Sequence, residues 1–133
     1  MALDRAMTPS PGRERGESGA AAVEFALVFP VLLTFLLGTA EFGRLLWTKS
    51  LLDHAVNEAA RCGSINATMC GSSNAIADYA VLRSVPLTVT SAIFTAVTTA
   101  CGSQVTASYA FTFVAHALLP YRVTLTSRAC FPR

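Results

Sequence analysis

The chain has 133 residues, room for one domain rather than two. Hydrophobic residues make up 53% and charged residues only 14%, against about 25% charged in an average soluble domain, so the chain is short of solvating groups. A net charge of +2, with no Lys/Arg stripe interleaved with aromatics, leaves nucleic-acid binding without support.

Residues 1–19, MALDRAMTPSPGRERGESG, are rich in Gly, Pro, Ser and charge and have no apolar period. They read as a disordered leader. From Ala20 to Ala40 the only charge is Glu24, and the run matches the roughly 20 apolar residues that a helix needs to cross a bilayer core. A cleaved secretory signal would have a shorter apolar region ending in a small-x-small site. Here Glu41-Phe42-Gly43-Arg44 follows instead, so the helix is read as a retained anchor. Pro30 lacks an N–H and is expected to kink it. Trp47 is an interface-type aromatic that, with Glu41 and Arg44, marks the membrane exit.

The helical pattern continues beyond the span. Leu45, Leu52, Val56 and Ala59 recur at helical spacing, with Arg44, Lys49, Asp53, Asn57 and Glu58 mostly elsewhere. Gly63 offers a stop. A helix from Ala20 to Arg61 would be about 60 Å long, half in lipid and half projecting as a stem. Residues 63–73 read as a loop, and 74–83 as a short helix capped by Ser72 or Ser73 and ended by Pro86. Residues 87–100 are ambiguous: their β-branched density argues for a strand, while Ala92, Ala96 and Ala100 at i, i+4, i+8 argue for a helix. Two half-buried strands follow. Val105, Ala107, Tyr109, Phe111 and Phe113 alternate with polar or small residues, as do Tyr121, Val123 and Leu125. They are expected to form an antiparallel hairpin packed on the stem, with a loop around 114–120.

Four cysteines, Cys62, Cys70, Cys101 and Cys130, all lie after the apolar segment. An even number on one side of a span fits an oxidising compartment. There is no CxxC, and His54 and His116 sit apart from the cysteines, so neither a metal nor any other cofactor is expected. Four cysteines allow three pairings. The favoured one joins Cys62 to Cys70 across a short loop and Cys101 to Cys130 across the hairpin. Apolar residues on both strands are odd-numbered, however, and facing residues share a face. Cys101 and Cys130 therefore require a bulge near Gly102 to come into phase.

The most informative stretch is Gly19, then Ala20-Ala21-Ala22-Val23-Glu24-Phe25, then the apolar run. It resembles the prepilin processing site, where a membrane-embedded aspartic peptidase cuts after a Gly and leaves a Glu as the fifth mature residue. That resemblance implies a cut between Gly19 and Ala20, with Glu24 as the assembly carboxylate. The match extends further. An AxxEFAL opening at Ala20 to Leu27, Pro30 within the apolar run, EFGR at Glu41 to Arg44 and EAAR at Glu58 to Arg61 together resemble the TadE-like pseudopilins of the tight-adherence (Flp) pilus system. The closing strands are also similar, whereas 63–100 match only vaguely.

The expected architecture is therefore α+β: a leader over 1–19, a long N-terminal transmembrane and stem helix over 20–61, and an exported, disulfide-stapled head over 62–133 containing a C-terminal antiparallel β-hairpin. The resemblance implies a bacterial inner-membrane protein with a cytoplasmic N-terminus, a prepilin-type peptidase as one partner and other pilins, pseudopilins and assembly proteins as the rest. A rival reading is an unprocessed, single-pass, membrane-anchored binding module. No G-x-S-x-G, P-loop or H-E-x-x-H is present to suggest an enzyme.

Overall fold

The computed structural model describes residues 14–114 and 121–132. Most of the predicted leader, and the hairpin loop with His116, lie outside the described residues. The chain divides into two units, Met1–Thr39 and Ala40–Arg133, and a single helix, α1 (Glu14–Ile65), contributes to both. The helix begins inside the predicted leader, so residues 14–19 are helical. It also runs through Pro30 without interruption.

In the first unit, every residue of α1 from Gly19 to Thr39 is exposed. The helix is apolar all round, with Phe25, Leu27, Val31 and Phe35 each more than 60% exposed. A helix hydrophobic on every face belongs in the core of a large protein or in a membrane. Within the described residues this is the one helix long and apolar enough to cross a bilayer, which makes it the candidate membrane anchor. Two threonines return their hydroxyls to the helix: Thr34 Oγ1 donates to the Pro30 carbonyl and Thr39 Oγ1 to the Phe35 carbonyl, each at 2.8 Å. This is how polar side chains are satisfied in such a segment.

The second unit is a small α+β head. A helix α2 (Ser73–Arg83) and a 3-10 turn (Ser91–Ile93) precede three strands, β1 (Phe94–Thr99), β2 (Gly102–Phe111) and β3 (Val123–Phe131), which form one antiparallel sheet in the order β1-β2-β3. Ser72 caps α2 as expected, its side chain accepting from the Ala75 N–H at 3.2 Å. The core gathers Leu52, Ala55, Val56, Ala59 and Ala60 of α1, Ile76 and Ala80 of α2, and Phe94, Val105, Ala107, Phe111 and Leu125 of the sheet. The segment expected to project as a stem is thus the centre of the head: Leu52, Ala55, Val56, Ala59 and Ala60 are all completely buried. Small residues on this face let the sheet approach closely, and Leu52 and Val56 fill the space left.

Gly63 does not stop the helix, which continues to Ile65. It is buried, and a Cβ there would run into the Ser103 hydroxyl and lie 2.8 Å from Ile76 Cδ1. The glycine is needed for packing α1 against β2 and α2. The ambiguity over 87–100 resolves to a strand over Phe94–Thr99, because Phe94 and Ala96 face the core and pair with Ala107 and Val105. The alanine spacing reflected no helix.

The hairpin parity is as expected, with Val105↔Ala129, Ala107↔Ser127 and Tyr109↔Leu125 sharing the core side. The strand limits move: β2 opens earlier than Val105, and β3 runs to Phe131 while Tyr121 stays outside it. The expected bulge is not what brings the cysteines together. The register runs from Ser103↔Phe131 to Phe111↔Val123 with no shift of phase. Cys101 instead occupies the two-residue turn between β1 and β2, outside the ladder with β3. Gly102 follows it at φ 118°, where a Cβ would also collide with the Phe131 carbonyl. From that turn Cys101 reaches Cys130 on the outer face of the sheet, with Cα atoms 6.4 Å apart, and Cys62 reaches Cys70 with Cα atoms 5.8 Å apart. Both pairs are at disulfide distance, in the favoured connectivity.

Candidate functional site

Two sets of residues carry chemistry, one in each unit. The first is the segment around Gly19, Ala20 and Glu24. All three are exposed and helical, and a Cβ built on Gly19 meets nothing within 4 Å. Steric crowding within the chain therefore does not explain this glycine. Its effect is on the backbone, since glycine lowers helix stability by about 1 kcal/mol relative to alanine. Glu24 follows four residues after Ala20, in the opening turns of the apolar run, and Phe25 stacks on Phe29 one turn further along at 4.9 Å. A lone carboxylate at this depth is costly in hydrocarbon unless it is paired.

The second set ties α1 to the sheet. Glu41, at the end of the apolar run, accepts from Arg44 Nη1 at 2.9 and 3.0 Å and from the Val114 backbone N–H at 3.0 Å. The Arg44 guanidinium lies 5.5 Å over the Phe111 ring, within cation–π range. The EFGR sequence thus supplies a clasp for the end of β2. Two turns on, Lys49 Nζ donates to Asp53 Oδ1 at 2.7 Å and to the Thr126 carbonyl at 2.8 Å, and the buried Ser127 hydroxyl donates to the same Asp53 oxygen. Partial burial pushes the Asp53 carboxyl up. The hydrogen bonds from Lys49 and Ser127, with the charge of Lys49, outweigh that and bring it below the ordinary carboxylate value. Ser64 completes the series, donating to the Phe131 carbonyl at 3.0 Å.

The sequence presented Glu41 and Arg44 as markers of the membrane exit. It gave no sign of Val114, which lies 73 residues away. Lys49 and Asp53 were read only as charges off the apolar face; their i, i+4 pairing and its serine partner were not anticipated. His54 is exposed, as expected. An open groove between α2 and β1 is lined in part by Ser73, Asn74, Asp78, Phe94 and Thr95. Among the described residues no His, Cys, Asp and Glu cluster has the makings of a metal site.

Comparison with known proteins adds one finding. Residues 19–61 match the profile of a family described as TadE-like protein. The match begins at Gly19, ends at Arg61 and contains both the Glu24 segment and the Glu41–Arg44 clasp. No curated protein and no solved structure matches the chain.

Proposed function

We propose that this chain, whose residues 19–61 match a TadE-like domain, is a Tad pilus-associated protein and acts as a pseudopilin-like subunit in assembly of a tight-adherence pilus or its secretion machine. A prepilin-type peptidase cuts between Gly19 and Ala20 from the cytoplasmic side of the inner membrane. The apolar helix stays in the bilayer and the head stands outside, where the paired cysteines are oxidised.

Glu24 then acts in assembly. Cleavage leaves an α-amine at Ala20, at the positive end of the helix dipole and beside unpaired N–H groups of the first turn. The carboxylate of one subunit neutralises the amine of its neighbour. Each charge removes the other's cost in lipid, and the pair fixes the axial register of adjacent helices. Other pilins and pseudopilins that present the same amine and carboxylate are the partners this chemistry selects.

The observation that carries this reading is the family match starting at Gly19, followed by an apolar helix that is exposed on every side and holds one carboxylate. N-terminal sequencing of the protein recovered from membranes tests it. A start at Ala20 supports processing. An intact leader would leave the chain an unprocessed membrane-anchored module.

A further inference from the structure

The two cysteine pairs of the head sit in different surroundings. Cys62 and Cys70 belong to the core, at 8% and 1% exposure. Cys101 is exposed and Cys130 half-buried. Cys101 lies in the turn between β1 and β2, and Cys130 is on β3 opposite Gln104, on the outer face of the sheet. Thiol–disulfide exchange needs a thiolate to reach one sulfur and the other sulfur to leave. Burial withholds the Cys62–Cys70 pair from such an attack, and the turn offers Cys101 to it.

The outer pair also has groups that suit a departing sulfur. Thr99 Oγ1 lies 3.0 Å from Cys101 Sγ and 3.8 Å from Cys130 Sγ, within reach of both. Its hydroxyl can donate to whichever sulfur carries the negative charge, and hydrogen bonds to charged groups are the stronger ones. Arg128 precedes Cys130 by two residues on β3 and so shares its face. It is exposed, with its guanidinium donating to Gln104 Oε1. No Asp or Glu follows Asp78 in the sequence, so none of the three strands brings a carboxylate to oppose this arginine, and Asp53 meets the sheet from its other face, at Ser127. A cation beside a thiol lowers its pKa, and a thiol of lower pKa leaves faster.

We infer that Cys101–Cys130 is a site of reversible thiol–disulfide exchange with a protein dithiol, and that Cys62–Cys70 is a permanent crosslink. A thiolate of the dithiol attacks Cys101 Sγ. The bond between Cys101 and Cys130 breaks, and Cys130 leaves as a thiolate that accepts from the Thr99 hydroxyl. The second thiol of the partner then attacks the mixed disulfide and releases Cys101. Two electrons and two protons pass to the head: the partner ends as a disulfide, and Cys101 and Cys130 end as thiols. The reverse sequence closes the pair. Opening it releases the β1–β2 turn from β3 and leaves the β2–β3 ladder, which runs from Ser103↔Phe131 to Phe111↔Val123, in place.

The test uses the full chain in detergent, mixed with thioredoxin in which the second cysteine of the CxxC pair is replaced by serine, so that the mixed disulfide accumulates. Free thiols are alkylated and the peptides mapped by mass spectrometry. The adduct is expected on Cys101, with Cys130 alkylated and Cys62–Cys70 intact. Unmodified reduced thioredoxin should open Cys101–Cys130 at least on the order of tenfold faster than Cys62–Cys70, and the preference should vanish in denaturant. Thr99→Val should slow opening about tenfold and Thr99→Ser should restore it, with protection of the β2 amides against hydrogen exchange unchanged in both. An adduct on Cys62 or Cys70, equal opening of the two pairs in the folded head, or no adduct from the folded head where the denatured chain reacts, would each overturn the inference. An adduct on Cys130 would overturn the assigned order of attack, and opening of Thr99→Val at the wild-type rate would overturn the part given to the Thr99 hydroxyl.

Discussion

Replacing Gly63 by alanine tests how the head is packed. The new methyl would run into Ser103 Oγ and sit 2.8 Å from Ile76 Cδ1 and 3.3 Å from Ser103 Cβ. The Ile76 methyl ends a flexible side chain, but Ser103 lies on β2 and is 2% exposed, so relief requires α1 to move off the sheet. Overpacking of this kind costs about 1–3 kcal/mol. Taking about 2 kcal/mol for the clash and subtracting up to about 1 kcal/mol of recovered helix propensity leaves a net loss of roughly 1–2 kcal/mol. Hydrogen exchange of the β2 and β3 amides in the detergent-solubilised full chain reads this directly, as roughly 5- to 30-fold faster exchange. Gly19→Ala is the control: it meets nothing within 4 Å and should leave those amides unchanged. If Gly63→Ala exchanged at the wild-type rate or slower, α1 would not press on β2 as described, and Gly63 would be only a weak helix position.

Four further outcomes are expected. Gly19→Val should block processing, so that the protein runs larger on a gel than wild type; equal mobility with a mature start at Ala20 would reject the assigned site. Glu24→Gln should be cut and stay in the membrane, since removing the charge eases insertion, yet assemble poorly; normal piliation would leave Glu24 without an assembly role. Asp53 titrates below its ordinary value, so its contribution is fully present above about pH 4, the unfolded-state value, and is lost as pH falls through the lower folded value. Protection of the Ser127 amide, taken relative to its intrinsic exchange rate at each pH, should therefore fall on acidification below pH 4 more in wild type than in Asp53→Asn, and equal slopes would dismiss the Lys49–Asp53–Ser127 link. Non-reducing digestion should return Cys62–Cys70 and Cys101–Cys130 peptides, and Cys101→Ser with Cys130→Ser should destabilise the head by about 3 kcal/mol on chain-entropy grounds. A Cys70–Cys101 peptide would overturn the pairing.

What the sequence disclosed, and what it hid, follows from how local each signal is. The apolar run, the EFGR exit and the helical spacing of Leu52, Val56 and Ala59 are local patterns, and the structure places them accordingly. The odd-numbered parity of Val105, Ala107, Val123 and Leu125 is local too, and it correctly set which residues share a face, though not the register itself. β1 was illegible because only Phe94 and Ala96 face the core, and alanine by itself favours helix over strand; pairing with β2 decides it. Cys101 was misplaced because the reading extended the strand into a turn. Once Ala100 and Cys101 form that turn, no bulge is needed. Most hidden were the contacts of Glu41 with Val114 and of Asp53 with Ser127, 73 and 74 residues apart. The carboxylates were visible, but their partners are a backbone amide and one serine among many.

The sheet order has a further consequence for symmetry. β1 and β3 are its two edges, and an unpaired edge invites another strand. On β3, the Thr126 carbonyl is already taken by Lys49, whose ammonium is also held by Asp53, so an incoming strand would have to displace a buttressed lysine. β1 offers exposed Thr95, Val97 and Thr98. Pairing β1 with β1 is a two-fold contact that uses the same surface on both copies and closes after two, while open-ended growth needs two different, complementary surfaces. Strand addition at β1 alone therefore closes after two copies.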